Sequence, residues 1–220
     1  EVVPEEVVVM TSQNGEIKRI PRSSFKTQRR NGKGVKTLEN SVLASISTNT
    51  IDTLMIFTSK GKMYRLLVDK VPVGTNASKG VTIGSLIKMD MDERVVAVTS
   101  LYRKTNAEYV VFFTKNGLIK KTSIEEYKNT KKTTGIQAIK FKDGDELAGV
   151  TFLKNENVIV LTKKGYGILF ETANITPTGR VTSGVKAIKL VDDEVILGLP
   201  IKNENESLAI FTEKGMGKKT

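Results

Sequence analysis

The sequence predicts an all-β protein, a propeller-like array of repeated four-stranded blades with about 50 residues per repeat. A short apolar run that ends in a polar turn with glycine recurs along the chain, and a second glycine motif follows it at a fixed distance. No long segment has helical periodicity with start and stop signals. The 220 residues are enough for an array of small repeats with a substantial core.

Each repeat begins with four apolar residues, a threonine, two or three polar residues and a glycine. The copies end at Gly15, Gly61, Gly117, Gly165 and Gly215. Glycine takes a positive φ in a tight turn without steric cost, so each copy predicts a β-hairpin. The apolar runs are continuous more than alternating, which indicates sheets that are covered on both faces by their neighbours.

The second motif follows each of the first four hairpin glycines by about 19 residues. Its copies are Gly34-Val35, Gly80-Val81, Gly135-Ile136 and Gly184-Val185. A further apolar run closes each unit, over residues 42–46, 95–98, 147–153 and 195–199. Each unit therefore predicts four short strands, with a loop of about a dozen residues between the second and the third.

We expect a single domain over residues 1–220, with repeats over roughly 1–52, 53–106, 107–154 and 155–203 and a partial repeat over 204–220. Two explanations of the partial repeat stay open: the sequence continues beyond residue 220, or this hairpin completes another blade. A linear β-solenoid is the alternative architecture, but it usually has much shorter repeats.

Composition excludes several classes of function. The chain has no histidine and no cysteine, so ordinary zinc sites, cysteine nucleophiles, Ser-His-Asp triads and disulfides cannot be built within it. No apolar run is long enough to span a bilayer, and the first residues lack the basic and apolar regions of a signal peptide. These features fit a cytoplasmic protein.

Charge points to a polyanionic partner. The formal net charge is +11, from 35 basic and 24 acidic residues, which favours nucleic acid first and a membrane surface second. The longest basic loop, residues 20–34, contains Arg22, Lys26 and the run from Gln28 to Gly34. Its cations would meet phosphate oxygens, and its glycines would bring main-chain N–H groups close, which gives affinity without reading base sequence. The alternative is a solvated surface loop.

Residues 28–34 read Gln-Arg-Arg-Asn-Gly-Lys-Gly. This run resembles the Gln-Arg-Arg-Gly-Gly-Lys-Gly box of the C-terminal domain of DNA gyrase A. Only Asn31 departs, and asparagine tolerates a left-handed backbone better than most residues. The resemblance covers the whole chain and implies a β-pinwheel with the box in its first blade. It implies DNA contacts from the matching residues Gln28, Arg29, Arg30, Gly32, Lys33 and Gly34.

The resemblance also implies a mechanism. In that family the pinwheel wraps duplex DNA around a basic rim in a positive sense, which lets a bacterial type II topoisomerase introduce negative supercoils. Catalytic residues, the ATP site and Mg²⁺ belong to other parts of the intact enzyme, so we expect no catalytic residue, cofactor or metal in this domain. The implied partners are duplex DNA, the rest of gyrase A, and gyrase B in a heterotetramer, with no membrane, in the bacterial cytoplasm and nucleoid.

The loops of the other units can be compared with the box by counting back from the second-motif glycines. This places Asn76, Lys131 and Arg180 opposite Arg30, and Lys79 opposite Lys33. We therefore expect further DNA contacts from Lys79, Lys131, Lys132 and Arg180, beside Arg22 and Lys26 of the first loop. The cations of the second strands are expected to face solvent beside the groove: Lys18, Arg19, Arg65, Lys120 and Lys121.

Three rival functions stay open. The corresponding domain of topoisomerase IV is a near relative by the same resemblance, but its box is typically degraded. A protein-interaction propeller would more often expose an apolar patch than a basic loop. A propeller enzyme for an anionic substrate would need polar residues that converge near the axis, and the absence of histidine makes this harder. Aromatic residues are 6% of the chain, too few for single-strand stacking platforms, so duplex DNA is favoured.

Overall fold

The computed structural model describes residues 2–24, 42–101, 107–128, 134–142, 144–203, 205–211 and 216–219. Short β-strands dominate this part of the chain. The first eight strands are β1 (Glu6–Ser12), β2 (Glu16–Pro21), β3 (Val42–Asn49), β4 (Thr53–Thr58), β5 (Lys62–Leu67), β6 (Val81–Thr82), β7 (Val95–Ser100) and β8 (Tyr109–Thr114). After β9 (Leu118–Ser123) and the four-residue helix α1 (Glu125–Lys128) come β10 (Ile136–Gln137), β11 (Leu147–Leu153), β12 (Asn157–Thr162), β13 (Gly167–Phe170), β14 (Val185–Lys186), β15 (Val195–Ile201), β16 (Ala209–Phe211) and β17 (Gly217–Lys219).

These strands form successive antiparallel sheets. In the described part of the chain, three sheets have four strands, in the orders β3-β1-β2-β6, β10-β5-β4-β7 and β11-β8-β9-β14. A fourth sheet has three strands, β13-β12-β15, and a hairpin of β16 and β17 follows. In each larger sheet a hairpin occupies the centre, and the closing strand of the same unit pairs with the first strand of that hairpin.

The outer strand of each four-stranded sheet comes from the following unit. The strands β6, β10 and β14 carry the second glycine motif, and they pair with β2, β5 and β9 of the preceding unit. A Cβ atom on Gly184 would lie 2.5 Å from the carbonyl oxygen of Ile119, so only glycine allows β14 to approach β9 this closely. The repeat predicts a blade made of the four strands of one unit, but each four-stranded sheet joins strands of two consecutive units.

The closing strands define the centre of the array. Strand β3 contacts β7, β7 contacts β11, and β11 contacts β15. Because these edges meet one another, the opposite edges, which end in β6, β10 and β14, lie on the outside. We call these outer strands, together with the loops that precede them, the rim. Four blades arranged as a β-propeller confirm the predicted fold class.

The hairpin turns have the predicted conformation. Their glycines have φ values between 71° at Gly61 and 87° at Gly165. Each turn is closed by the glycine N–H group, which donates to the carbonyl of Thr58 at 2.9 Å from Gly61 and to that of Thr114 at 3.0 Å from Gly117. Glycine is required here because side chains rarely adopt this region of φ. The hairpin prediction is therefore confirmed at these positions.

The apolar core lies between the sheets. Every residue of β4 is buried: Leu54 and Ile56 face the first sheet, and Met55 and Phe57 face the third. The ring of Phe57 meets that of Phe112 edge-on, with centroids 5.6 Å apart. Strands β4 and β8 thus confirm the prediction of sheets covered on both faces. Burial alternates along β1 and β12, which lie in the end sheets of the four.

Candidate nucleic-acid interface

Most of the predicted contact residues lie outside the described residues. Lys26, Gln28, Arg29, Arg30, Gly32, Lys33 and Gly34 fall within residues 25–41, and Lys131 and Lys132 within residues 129–133. Their DNA contacts stay predictions. The structure gives the start of the first loop: Arg22 begins a 3-10 turn, Arg22–Ser24, directly after β2, and it is exposed.

Lys79 lies on the rim of the first sheet, directly before Gly80 and β6. Its side chain is 67% exposed, and its ammonium group lies 3.8 Å from a carboxylate oxygen of Glu16. Gly80 has a φ of 88°, so the chain turns sharply at this point before it pairs with β2. The turn leaves the Lys79 side chain outside the sheet, where a phosphate could replace its contact with Glu16.

Arg180 occupies the corresponding loop of the third sheet, before β14. Its side chain is 33% exposed, and its Nε lies 3.8 Å from a carboxylate oxygen of Glu126 on α1. Exposed ion pairs of this kind contribute about 0–1 kcal/mol. The pair therefore orients the guanidinium group only weakly, and a phosphate could replace the carboxylate at little energetic cost. Lys79 and Arg180 thus lie in corresponding rim loops, one residue before Gly80 and four residues before Gly184 respectively.

The expectation that the second-strand cations face solvent is wrong for the three lysines. Lys120 is 1% exposed, and Lys18 and Lys121 are each 7% exposed. The ammonium group of Lys120 donates to the carbonyl oxygens of Ala138 and Arg180, both at 2.7 Å. The next unit covers Lys120 with β14 and the rim loop before it, and the Arg180 carbonyl of that loop takes the place of water.

Lys18 has the same environment in the first sheet. Its ammonium group donates to the carbonyl oxygens of Thr75, Asn76 and Ser78 at 2.7, 3.1 and 2.6 Å. All three belong to the rim loop that ends at Lys79. A buried charge is tolerated here because three carbonyl dipoles point at it.

The cation one position further along each second strand reaches the helical turn of the next unit. Lys121 donates to the carbonyl of Thr172 at 3.1 Å, and its ammonium group lies 4.4 Å from the ring centre of Tyr109. Arg65 donates to the carbonyl of Lys128 at 3.3 Å. In the first sheet Arg19 instead forms an ion pair with Asp69 at 3.7 Å, and its side chain is 14% exposed.

A sequence signal for this burial exists. Three residues after the hairpin glycine stand Lys18, Tyr64, Lys120 and Ile168. Aromatic and aliphatic residues at the same register are typical of a covered position, and lysine can occupy such a position when its stem packs on apolar surface. The burial of Lys18 and Lys120 is therefore indicated by Tyr64 at the same register and not by the lysines themselves.

Burial also changes the protonation of these lysines. It lowers the pKa of Lys120 to about 8, with a further contribution from the charge of Arg180, while Glu126 acts in the opposite direction. Burial lowers the pKa of Lys18 and of Lys121 as well. These three charges are enclosed by the protein, so the net charge of +11 overstates the charge available to a partner.

Several lysines near the hairpin turns are already paired with carboxylates. The pairs join Lys60 to Asp92 at 2.5 Å, Lys62 to Asp90 at 2.9 Å, Lys115 to Glu146 at 3.3 Å and Lys163 to Glu194 at 3.3 Å. The acidic partners come from the segment that precedes each closing strand. Positive charge at the hairpin turns is therefore locally balanced, which favours the rim loops as the surface for an anionic partner.

No helix in the described part of the chain has the length and apolar character needed to cross a membrane.

Comparison with known proteins agrees with this geometry. The profile of the family described as "DNA gyrase C-terminal domain, beta-propeller" matches residues 6–43, 52–101, 108–154, 156–199 and 206–220. The chain belongs to the DNA gyrase C-terminal domain family. The matched segments correspond to the successive units, and the first of them includes the box at residues 28–34.

Relatives of this gyrase domain are bacterial. The chain is similar to the DNA gyrase A protein of Staphylococcus epidermidis, with 35% identity over 232 residues. The match covers 100% of this chain and 26% of that protein, so the chain spans about a quarter of the relative's length.

Two solved structures are similar over almost the whole chain. The C-terminal domain of DNA topoisomerase IV superposes with a TM-score of 0.80 at 26% identity, covering 100% of this chain and 68% of that one. The C-terminal domain of DNA gyrase A superposes with a TM-score of 0.71 at 28% identity, covering 98% of this chain and 71% of that one. The gyrase family's β-propeller is thus the fold of this chain.

Proposed function

We propose that this chain binds duplex DNA and wraps it around the rim in a positive sense, as the C-terminal module of a gyrase-type topoisomerase. The observation that carries the proposal is membership of the gyrase C-terminal domain family together with a near-intact box at residues 28–34. Wrapping of this handedness would enable the intact enzyme to introduce negative supercoils.

The described rim supports this proposal through its charge. Lys79 and Arg180 carry exposed or partly exposed cations on loops that precede outer strands, and Arg22 is an exposed cation at the start of the first loop. Cations on such loops contact phosphate oxygens without reading bases, and this mode of binding suits a module that must take up DNA of any sequence. The partner would be a duplex, because wrapping needs a stiff backbone that follows the rim.

We further propose that this domain has no catalytic role of its own. Bond breakage, ATP and Mg²⁺ would belong to the rest of gyrase A and to gyrase B in the intact enzyme. The absence of histidine and cysteine supports this division of labour, because many catalytic and metal sites depend on them. The intact enzyme would work on the nucleoid in the bacterial cytoplasm.

A topoisomerase IV module is the second candidate. It is favoured by the higher TM-score of the topoisomerase IV domain, 0.80 against 0.71. The gyrase assignment is favoured by the box, because a degraded box is expected of topoisomerase IV. Chiral wrapping distinguishes the two candidates, since the box is expected to cause it.

The test is a topology assay on the full chain. The protein is mixed with nicked circular DNA, the nick is sealed with ligase, the protein is removed, and the linking-number distribution is measured. We expect a shift toward positive supercoils that disappears when Arg29, Arg30 and Lys33 are replaced by alanine. A matched control replaces Lys60, Lys115 and Lys163 by alanine, which removes the same formal charge near the hairpin turns and should keep the shift.

The other outcomes are also informative. Salt-sensitive binding without any shift would contradict wrapping and leave a DNA-binding β-propeller of the topoisomerase IV type. Loss of all binding in the triple variant would contradict our expectation that the other blades still supply phosphate contacts. Absence of both binding and shift in the unmodified chain would support the protein-interaction alternative.

A further inference from the structure

Two lysines at the same register share an unusual environment. Lys18 and Lys120 each lie three residues after a hairpin glycine, on the strands β2 and β9. Both are buried, and both donate their ammonium hydrogens to main-chain carbonyl oxygens at 2.6–3.1 Å. Each lysine binds at least one carbonyl in the rim loop of the following unit, at a sequence separation of 57 to 60 residues.

The rim loops held in this way carry the exposed cations. Lys120 binds the carbonyl oxygen of Arg180 itself, while the Arg180 guanidinium points toward Glu126 and solvent. Lys18 binds the carbonyls of residues 75, 76 and 78, directly before Lys79. A lysine below each loop thus draws the main-chain oxygens inward, and the side chains of Arg180 and Lys79 are left on the outside.

We propose that Lys18 and Lys120 are positioning residues for DNA binding, which fix the rim loops so that Lys79 and Arg180 face the phosphate backbone. This inference rests on the proposed function. Neither lysine acts by direct contact, because Lys120 is 1% exposed and Lys18 is 7% exposed. Their effect is to order in advance a loop that would otherwise lose entropy on binding.

A purely architectural role is disfavoured by the second sheet. Tyr64 occupies the same register there, and its hydroxyl donates to the carboxylate of Glu93 at 2.7 Å. The second sheet still has four strands and packs on both neighbours. A buried lysine at this register is therefore not needed to build a blade, and its burial carries a desolvation cost.

The surroundings of Lys120 allow a clean substitution. Its ammonium group lies 5.3 Å from the ring centre of Phe112, and within the described part of the chain the charged groups that act on it are Arg180 and Glu126. Methionine has a similar length, is apolar and can pack against the ring. Lys120→Met removes the hydrogen bonds to Ala138 and Arg180 and leaves the Arg180 side chain in place.

The experiment measures the affinity of the full chain for a random-sequence duplex as a function of salt. The plot of log affinity against log salt has a negative slope. We expect Lys120→Met to reduce the magnitude of this slope by about 1, as if one phosphate contact were lost. Arg180→Ala should do the same, and the double variant should be no weaker than Arg180→Ala alone. The matched control is Lys121→Met, a neighbouring buried lysine that binds Thr172 instead of the rim loop and should leave the slope unchanged.

Each result bears on the proposal. An unchanged slope in Lys120→Met, or additive losses in the double variant, would overturn it. If Lys120→Met does not fold by circular dichroism, Lys18→Met paired with Lys79→Ala gives the same comparison in the first sheet. Failure of both lysine variants to fold would assign these residues to architecture and overturn the proposal. Absence of binding by the unmodified chain would overturn the proposed function itself, so the two failures are distinguishable.

Discussion

At the scale of single residues, the protein buries the lysines Lys18, Lys120 and Lys121. Lys120 is enclosed by the protein, and carbonyl dipoles of Ala138 and Arg180 compensate its charge. Burial, followed by the charge of Arg180, lowers its pKa to about 8. A neutral amine still has two N–H donors for the same two carbonyls. Deprotonation therefore relieves the desolvation cost and can leave both hydrogen bonds in place.

This arrangement predicts a pH dependence of stability. The pKa of Lys120 falls from 10.5 in the unfolded chain to about 8 in the folded one. The unfolded state therefore binds more protons between these values, and the cost of the charge, fully present below pH 8, disappears as pH rises toward 10.5. We expect this residue to raise the free energy of unfolding by about 2 kcal/mol between pH 7.5 and 9.5.

Urea unfolding at the two pH values checks this prediction. The increase in the free energy of unfolding between the two pH values should be smaller by about 2 kcal/mol in Lys120→Met. It should be unchanged in Lys70→Met, because Lys70 is exposed. Equal pH dependence in Lys120→Met and the unmodified chain would contradict it.

Burial and a hydrogen bond to Glu93 raise the pKa of Tyr64, and burial raises that of Tyr127. These tyrosines act with the opposite sign, but only above about pH 10.

At the scale of strands, the short outer strands join neighbouring units. Strand β14 has only two residues, and it pairs with β9 through Val185 and Lys186. Additional main-chain bonds from Ala187 and Ile188 to the carbonyl of Gly117, at 2.9 and 3.3 Å, extend this contact. So short a strand depends on close approach along its whole length.

The close approach of Gly184 to β9 predicts the effect of a single methyl group. Gly184→Ala places a Cβ atom against the main-chain oxygen of Ile119, and main chain cannot move aside as a flexible side chain would. We expect a loss of about 1–3 kcal/mol of stability and faster amide exchange at Ala187. Urea unfolding and hydrogen exchange measure the two effects.

Gly179→Ala is the matched control for this prediction. Gly179 lies in the same rim loop, and a Cβ atom there would meet no atom within 4 Å. We expect it to change stability by less than about 0.5 kcal/mol. Unchanged protection of Ala187 in Gly184→Ala would show that the pairing of β14 tolerates the methyl group.

At the scale of the whole molecule, the sheets share their cores and differ in charge. Each apolar cluster lies between two neighbouring sheets, so that stability is distributed along the array and leaves the outer surface free to vary. Hairpin-turn lysines such as Lys60 and Lys163 are neutralised by nearby carboxylates. The rim cations Lys79 and Arg180 have longer contacts with carboxylates, both at 3.8 Å.

This distribution predicts binding that is sensitive to salt and insensitive to sequence. We expect unrelated duplexes of equal length to bind with affinities that agree within about threefold, because contacts to phosphate carry no base information. Raising the salt concentration from about 50 to about 200 mM should lower the affinity more than about tenfold. Fluorescence anisotropy with three unrelated duplexes measures both. A strong preference for one duplex, or binding that resists salt, would contradict a phosphate-tracking rim.

The sequence by itself determined the features that depend on neighbouring residues in the chain. The hairpins follow from apolar runs that end in glycine, and the turn at Gly61 needs a positive φ that glycine adopts without strain. The repeat follows from two spacings that recur along the chain, and the box at residues 28–34 marks the family. The hairpins and the spacings depend on residues close in sequence, so similar residues specify them in successive units.

Only the tertiary structure decided which unit supplies each outer strand and where the buried lysines point. Strand β14 is two residues long, and its sequence fits the edge of its own sheet as well as that of the preceding one. Lys120 has a flexible apolar stem, and lysines of the same sequence context are found with the ammonium group in water or among carbonyls. The choice depends on groups such as Arg180, 60 residues away in the chain, which come together only when consecutive blades pack.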